Sequence, residues 1–191
     1  FVETPLANRR TNNPDQIGNT YMVLHAVPHD KIEQVQAYFA PLRERRNARN
    51  RKMVERINEL YKNDGVSLDF ERDVLPLSQA TAGGSVTERH LMLALARQLL
   101  KLGKTSLPEH ASELEIMLAE YDLVGLLKKD CIPKVFIPAT DECPTLREIV
   151  RFAGEDGGIL AFAYLGDVTA SVTGDKKAQK FEDDYLDELF A

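Results

Sequence analysis

The stretch Gly157-Gly-Ile-Leu-Ala-Phe-Ala-Tyr164 decides the fold class that this sequence predicts. A continuous apolar run behind a glycine pair is typical of a buried strand. Upstream, Thr145 and Glu148 have the spacing of a capping box and predict a helix that ends at Gly154. Val135-Phe-Ile137 reads as a further short buried strand. Strand, capped helix and strand in this order indicate a βαβ unit with parallel strands, and therefore an α/β fold.

The middle of the chain, from about residue 30 to 130, is predicted to be nearly all helical. Asp30 and Glu33 have capping-box spacing and indicate a short helix. Pro41 is expected to begin a longer helix that extends to about Lys62. Later helices are predicted to begin at two further caps, Ser85 with Glu88 and Ser106 with Glu109. An α/β layer therefore flanks a helical middle.

Composition and length are those of a soluble globular protein: 191 residues, of which 43% are hydrophobic and 28% charged. No apolar run reaches the roughly 20 residues of a membrane span, so no membrane partner is expected. Cys131 and Cys143 lack the spacing of a metal knuckle, which favours a reduced, cytoplasmic protein with two incidental thiols. Because the chain starts at Phe1 and stops at Ala191 within an amphipathic run, we expect a fragment of a longer protein.

Charge is unevenly distributed. The net charge is −6, but residues 41–62 hold eight Lys and Arg against three Glu, and residues 109–191 hold eight against eighteen Asp and Glu. The acidic surplus argues against broad nucleic-acid binding. One stripe of the basic helix is either a solvated face paired with glutamates or a patch that attracts a phosphorylated ligand; its members are Arg45, Arg49, Lys52 and Arg56.

Gly84-Ser-Val-Thr-Glu-Arg-His90 opens a long amphipathic helix and holds the clearest candidate for ligand binding. The free amides and the dipole at a helix N-terminus favour an anion, and an arginine there would add bidentate phosphate recognition. Arg89 and His90 are therefore candidate substrate-binding residues. The alternative is that Arg89 pairs with a surface glutamate and that His90 packs under a loop.

Two further residues lie at predicted strand ends. His25 is near the C-terminal end of a strand predicted over Thr20–Val27, where α/β barrels hold their site residues. Asp167 directly follows the last apolar strand, where an aspartate can bind a metal or act as a general base. Each has an ordinary alternative: His25 as a hydrogen-bonded core residue, and Asp167 as the cap of a turn.

The order of these features resembles the polymerase and histidinol phosphatase (PHP) family of metal-dependent phosphoesterases. The matching pieces, spread over nearly the whole chain, are Val2-Glu3, Val23-Leu-His25, the basic helix from Leu42 to Asn58, Gly84-Ser-Val with His90-Leu-Met-Leu-Ala-Leu, and Gly157-Gly-Ile-Leu-Ala. The resemblance implies a distorted α/β barrel with a mainly helical insertion. Residues 1–29 and 131–191 would form barrel parts, and residues 30–130 the insertion.

The resemblance also implies a chemistry, in which divalent metal ions (Mn, Zn, Mg or Fe) activate water to attack a phosphate ester. Glu3 would match a carboxylate that bridges metals, and His25 a metal-binding histidine on the neighbouring strand. His90 would match the family's phosphate-binding histidine. The family's H-x-D-x-H and late Asp-x-His ligands do not occur in these residues, and Tyr164 stands where the family usually has histidine.

Two hypotheses follow. In the first, the chain is part of a PHP-like hydrolase that acts on a phosphorylated small molecule, with Glu3 and His25 as metal ligands, Asp167 as a catalytic residue, and Arg89 and His90 holding the phosphate. In the second, the chain is a non-catalytic anion-binding or interaction module on a PHP-derived scaffold, for which Tyr164 is the best support.

Overall fold

A computed structural model describes residues 2–3, 11–12, 16–105, 110–164 and 186–187 of the chain. In these ranges helices outweigh strands, and the strands form two small sheets. The strands are β1 (Val2–Glu3), β2 (Asn19–Thr20), β3 (Met22–His25) and β4 (Ile159–Phe162). The α-helices are α1 (Ile32–Leu60), α2 (Glu88–Lys101), α3 (Glu113–Asp130), α4 (Ile132–Val135) and α5 (Leu146–Asp156). Between α1 and α2 the chain makes short 3₁₀ turns and one π-helical turn, Phe70–Val74.

The chain divides into two compact units. The first holds Phe1–Leu42, Pro138–Ser171 and Lys176–Ala191, and the second holds Arg43–Ile137 and Val172–Asp175. The predicted division was into barrel parts, residues 1–29 and 131–191, and a helical insertion, residues 30–130. A division by contacts between residues does not test whether those parts belong to a barrel. That domain assignment stays a prediction.

In the first unit, β3 and β4 pair in antiparallel orientation, with Met22 opposite Phe162 and His25 opposite Ile159. The predicted parallel βαβ unit is therefore wrong. Its first strand is missing because Val135 ends the short helix α4, which Pro133 opens in a position that suits proline. The capping box of α5 is confirmed, since Thr145 accepts a hydrogen bond from the Glu148 N–H at 3.2 Å. The predicted α/β class is confirmed only in that the described residues combine helices with small sheets.

Among the described residues of the first unit, the buried apolar cluster is small and packs against aromatic rings. Ile149 and Phe152 of α5 form its buried centre. Tyr38 stacks on Phe152 with ring centroids 3.8 Å apart, and Phe39 meets Phe152 edge to face at 6.1 Å. Such aromatic pairs contribute about 1 kcal/mol beyond the area they bury. The cluster thus fastens α5 to the N-terminal part of α1.

Helix α1 runs without a break through Pro41, where the sequence predicted the start of a new helix. A proline inside a helix removes one backbone hydrogen bond, which packing on both sides must outweigh. Val35 and Phe39 pack before Pro41, while Met53 and Ile57 are buried after it. The predicted cap at Asp30 is also wrong, because Asp30 lies inside a 3₁₀ turn, His29–Lys31, that leads directly into α1.

The second unit has a larger apolar core, which α1, the turns after it, α2, α3 and α4 all supply. Leu91, Leu95 and Leu99 are buried along one face of α2, which agrees with the amphipathic helix predicted after Gly84. The cap of α2 lies two residues further on than predicted, at Thr87 with His90. Helix α3 begins behind a capping box of Ser112 and Glu115; the cap predicted at Ser106 lies outside the described residues.

Side-chain amides connect loops to the main chain in both units. Each of four amides donates to the carbonyl and accepts from the N–H of one other residue, as a neighbouring strand would. These amide–main-chain pairs are Asn12 with Tyr21, Gln16 with Ala139, Asn58 with Leu68 and Gln98 with Ser67. They satisfy backbone groups in segments that belong to neither helix nor sheet.

Candidate functional site

His25 is the predicted metal ligand whose side chain the structure describes. It is the last residue of β3, it lies opposite Ile159, and its side chain is exposed. The start of β4 approaches closely: a Cβ atom on Gly158 would lie 2.7 Å from Leu24 Cδ1 and 3.2 Å from the His25 carbonyl oxygen. A side chain at position 158 would therefore crowd Leu24 and the backbone of His25, which favours glycine here, and the pairing holds His25 at one end of the sheet.

The backbone directly after His25 is strained. Ala26 has φ of 51°, in the left-handed region that side chains with a Cβ rarely adopt. Such a conformation costs about 1 kcal/mol or more, and residues of this kind are frequent at functional sites. The strained residue is thus the direct neighbour of the exposed His25.

Glu3 and Asp167 are the other residues predicted for the metal site. Glu3 lies on β1 and pairs with Asn19 of β2, so its strand belongs to a different sheet from that of His25. The Glu3 side chain and all of Asp167 lie outside the described residues. Within the described ranges no three His, Cys, Asp or Glu side chains are grouped closely enough to hold a metal ion.

His90 has a structural role that the sequence did not predict. Its Nδ1 accepts a hydrogen bond from the Thr87 N–H at 2.9 Å and lies 3.0 Å from Thr87 Oγ1. Partial burial and the neighbouring positive charge of Arg89 lower the pKa of His90. A neutral imidazole therefore caps α2, whereas phosphate binding would favour a charged one. The signal was a threonine three residues before a histidine, which replaces the usual glutamate of a capping box.

The N-terminus of α2 already carries its own negative charge. Glu88 lies in the first turn and its Oε1 is 3.1 Å from Arg49 Nη2. The largely buried Arg49 also donates through Nη1 to the Ile137 carbonyl at 2.8 Å. A carboxylate in this position stabilises the helix dipole. An added anion would have to share this helix end with the carboxylate of Glu88. Because Arg49 already contacts Glu88 and Ile137, the exposed Arg89 is the better candidate to attract such an anion.

Part of the basic stripe on α1 fastens another segment of the second unit. Arg49 donates to Ile137, and Arg56 donates to the carbonyls of Phe136 at 3.0 Å and Val135 at 3.5 Å. These carbonyls follow or end α4, where helix geometry leaves acceptors unsatisfied. Two of the four cations are thus engaged with the main chain. Neither alternative predicted from the sequence included this role.

Neither cysteine forms a disulfide bond, and both are buried. Burial raises the pKa of Cys131 to about 11. Tyr61 forms a hydrogen bond with this thiol. Burial, and to a lesser extent the neighbouring Cys131, raises the pKa of Tyr61 to about 12. The Cys131 thiol is therefore neither a nucleophile nor a ready metal ligand near neutral pH.

Comparison of the chain with protein-family models, curated proteins and solved structures gives no match. The resemblance to the PHP family therefore stays a prediction. Among the described helices, none has both the length and the apolar character that crossing a membrane requires.

Proposed function

We propose that the chain is part of a PHP-like metal-dependent hydrolase that acts on phosphate esters. The observation that carries this proposal is the exposed imidazole of His25 at the end of β3, beside the strained Ala26. The β1 strand with Glu3 belongs to the same unit. The strands of this unit would then be part of a distorted α/β barrel, with the helices of the second unit as the insertion.

The proposed roles follow the resemblance. Glu3 and His25 would hold a divalent ion (Mn, Zn, Mg or Fe), and Asp167 would take a proton from the attacking water. Such an ion supplies a nucleophile at neutral pH by lowering the pKa of the water it binds. Arg89 would attract the phosphate of a phosphorylated small molecule. His90 departs from the resemblance, because it caps α2 and would hold the helix end beside the phosphate instead of binding it. The free thiols suit a reducing compartment, such as the cytoplasm.

Metal binding tests this proposal directly. We expect the purified chain to bind Mn²⁺ weakly, because Glu3 and His25 are too few ligands for a closed site. The His25→Ala variant should bind it about tenfold or more weakly, since second-shell losses alone cost at least that much. Titration followed by electron paramagnetic resonance measures this. His110→Ala is the matched control, and equal affinity for both variants would contradict the proposal.

The phosphate-binding role is tested through Arg89, because substitutions of His90 would also remove the cap of α2. Arg89→Ala should weaken the binding of inorganic phosphate by about tenfold without changing the metal content, as expected for loss of a charge-assisted contact. Phosphorus NMR measures the binding, and elemental analysis measures the metal. Unchanged phosphate binding would remove Arg89 from the site.

A non-catalytic interaction module is the second candidate function. It is favoured by exposed apolar side chains on α3, and Tyr164 in place of the family's histidine agrees with it. A photoreactive benzoylphenylalanine at position 117 of α3 should then form an adduct with a partner in extracts of the source cell. The same residue at position 126 serves as the control. Equal labelling from both positions would contradict a specific interaction.

A further inference from the structure

The first half of α3 buries none of its side chains. Within Glu113–Asp130 the buried residues are Val124 and Leu127, both in the second half. Four apolar side chains at positions i, i+3, i+4 and i+7 are instead exposed, and we call them the α3 stripe: Leu114 (59%), Met117 (58%), Leu118 (53%) and Tyr121 (66%). Exposed apolar residues are ordinary when they are scattered. Four exposed apolar side chains along one face of a helix have the spacing of the anchor residues by which helices bind protein partners.

This half of α3 also gains little from the rest of the fold. Its N-terminus is held by the capping box of Ser112 and Glu115, with hydrogen bonds of 2.8 and 3.3 Å between the two residues. A helical segment of about two turns is marginal by itself in water. Cover over the α3 stripe would bury apolar surface and stabilise the segment at the same time.

Charge indicates what covers the stripe. Residues 113–127 contain four acidic side chains and no Lys or Arg. Glu120 is engaged by Arg97 at 3.0 Å. At about 100° per residue, Glu113 lies on one side of the stripe, while Glu115 and Asp122 lie on the other. Both flanks of the stripe are therefore acidic.

Two occupants fit this charge pattern poorly. An anionic membrane surface would repel the acidic flanks, since it attracts basic segments. A second copy, packed so that the two stripes overlap, would place Glu113 and Glu115 against Asp122 and Glu120, and like charges across an interface are unfavourable. A partner with basic flanks has the complementary charge.

We propose that the α3 stripe is the docking surface for an amphipathic helix of another protein, with apolar side chains at i, i+3, i+4 and i+7 and Lys or Arg on both flanks. This inference rests on the interaction role given above as the second candidate function, and it is independent of the hydrolase proposal.

The experiment uses the full chain and a designed peptide of about 20 residues, long enough to form a helix. The basic peptide carries the apolar pattern with Lys on both flanks, and an acidic peptide carries Glu instead. The double variant Leu118→Gln, Tyr121→Gln should bind the basic peptide at least tenfold more weakly, because it removes two central anchors. Fluorescence anisotropy measures the affinity.

Leu126→Gln is the matched control. Leu126 is 55% exposed on the same helix but lies about 120° around it from Leu114. This variant should bind the basic peptide within about twofold of the native chain, as expected for a residue outside an interface. Circular dichroism and thermal unfolding should show that both variants keep the native fold.

Several outcomes would overturn the inference. They are absence of basic-peptide binding to the native chain, equal affinity for the acidic peptide, and equal loss of binding in the Leu126→Gln variant. A dimer or binding to anionic vesicles that the double variant abolishes would assign the stripe to another occupant. If the basic peptide fails while the adduct from position 117 persists and depends on Leu118 and Tyr121, the partner class is wrong and the interaction role stands. If neither the basic peptide binds nor an adduct forms from position 117, the interaction role itself is wrong.

Discussion

The two units of this chain are stabilised in different ways. In the second unit, buried apolar side chains from four helices and the turns between them form one cluster. In the described part of the first unit, the buried apolar centre is Ile149 and Phe152, and buried Thr11, Asn12, Asn19 and Thr20 take part in hydrogen bonds. The described part of the second unit therefore depends on close packing of many side chains, whereas that of the first combines a small apolar cluster with buried polar side chains. This difference predicts different responses to substitution.

The largest effect is expected in the second unit. Leu95 is fully buried in the middle of α2. Leu95→Ala should lower the free energy of unfolding by about 4 kcal/mol, because it leaves a cavity in a core that several elements hold in place. Urea unfolding measures this. Leu102→Ala, at an exposed leucine just after α2, should change stability by less than about 0.5 kcal/mol. A similar cost at both positions would contradict the packing account.

Phe152→Ala should cost somewhat less, about 3 kcal/mol, because the half-buried rings of Tyr38 and Phe39 can partly fill the space. In the Phe152→Ala variant, the Cys143 thiol of the weakened first unit should therefore react at a lower urea concentration than the Cys131 thiol of the second unit. Mass spectrometry after alkylation measures this order. Val150→Ala, at an exposed site on the same helix, is the control. If both thiols react together, the two units unfold as one.

A third prediction concerns alkaline pH in the second unit. The pKa of Cys131 is raised to about 11 in the fold, whereas a thiol in an unfolded chain titrates near 8.5. The stabilisation is therefore complete below the unfolded value and is lost as pH rises from there through about 11, on the order of 3 kcal/mol in total. Urea unfolding between pH 8 and 11 measures this. Because Tyr61 also has a raised pKa, it adds a loss of its own above about pH 10. Below that pH the loss should vanish in Cys131→Ala and persist in Cys143→Ala; the reverse would contradict the prediction.

The smallest effect should be a gain. Asp156 is 1% exposed, and neither carboxylate oxygen has a hydrogen-bond partner. It also ends α5, where the helix dipole disfavours negative charge. Asp156→Asn should therefore stabilise the first unit by about 1 kcal/mol, since burial of a charge without a partner is unfavourable. Thermal unfolding measures the change. Glu155→Gln, at an exposed neighbour, should have no effect, and destabilisation by Asp156→Asn would indicate an unrecognised partner.

Local signals were the ones that predicted structure correctly. The capping box of Thr145 and Glu148 was confirmed, although the same spacing after Asp30 and Ser85 did not mark a cap. The buried leucines of α2 were found because the 3.6-residue period determines one face. Pro41 misled the prediction of α1, since the packing that carries the helix past proline comes from residues distant in sequence.

Long-range partners explain the remaining errors. Val135-Phe-Ile137 has the composition of a strand, yet its carbonyls are held by Arg49 and Arg56. The pairing of β3 with β4 joins residues more than a hundred positions apart, and no local pattern determines its direction. Among the candidate site residues, His25 was correctly predicted to lie on a strand. The capping role of His90 depends on which ring nitrogen faces Thr87, which a sequence does not specify.

The amide–main-chain pairs have a consequence for the chemical ageing of the protein. Deamidation of asparagine requires its side-chain carbonyl carbon to meet the next backbone nitrogen, and an amide held at both its oxygen and its nitrogen is kept from that approach. If Asn12 or Asn58 did deamidate, an oxygen would replace the donor and would face the carbonyl of Tyr21 or Leu68. Stored protein should therefore accumulate deamidation at other amides first, and loss of native loop structure should follow only when these two are converted.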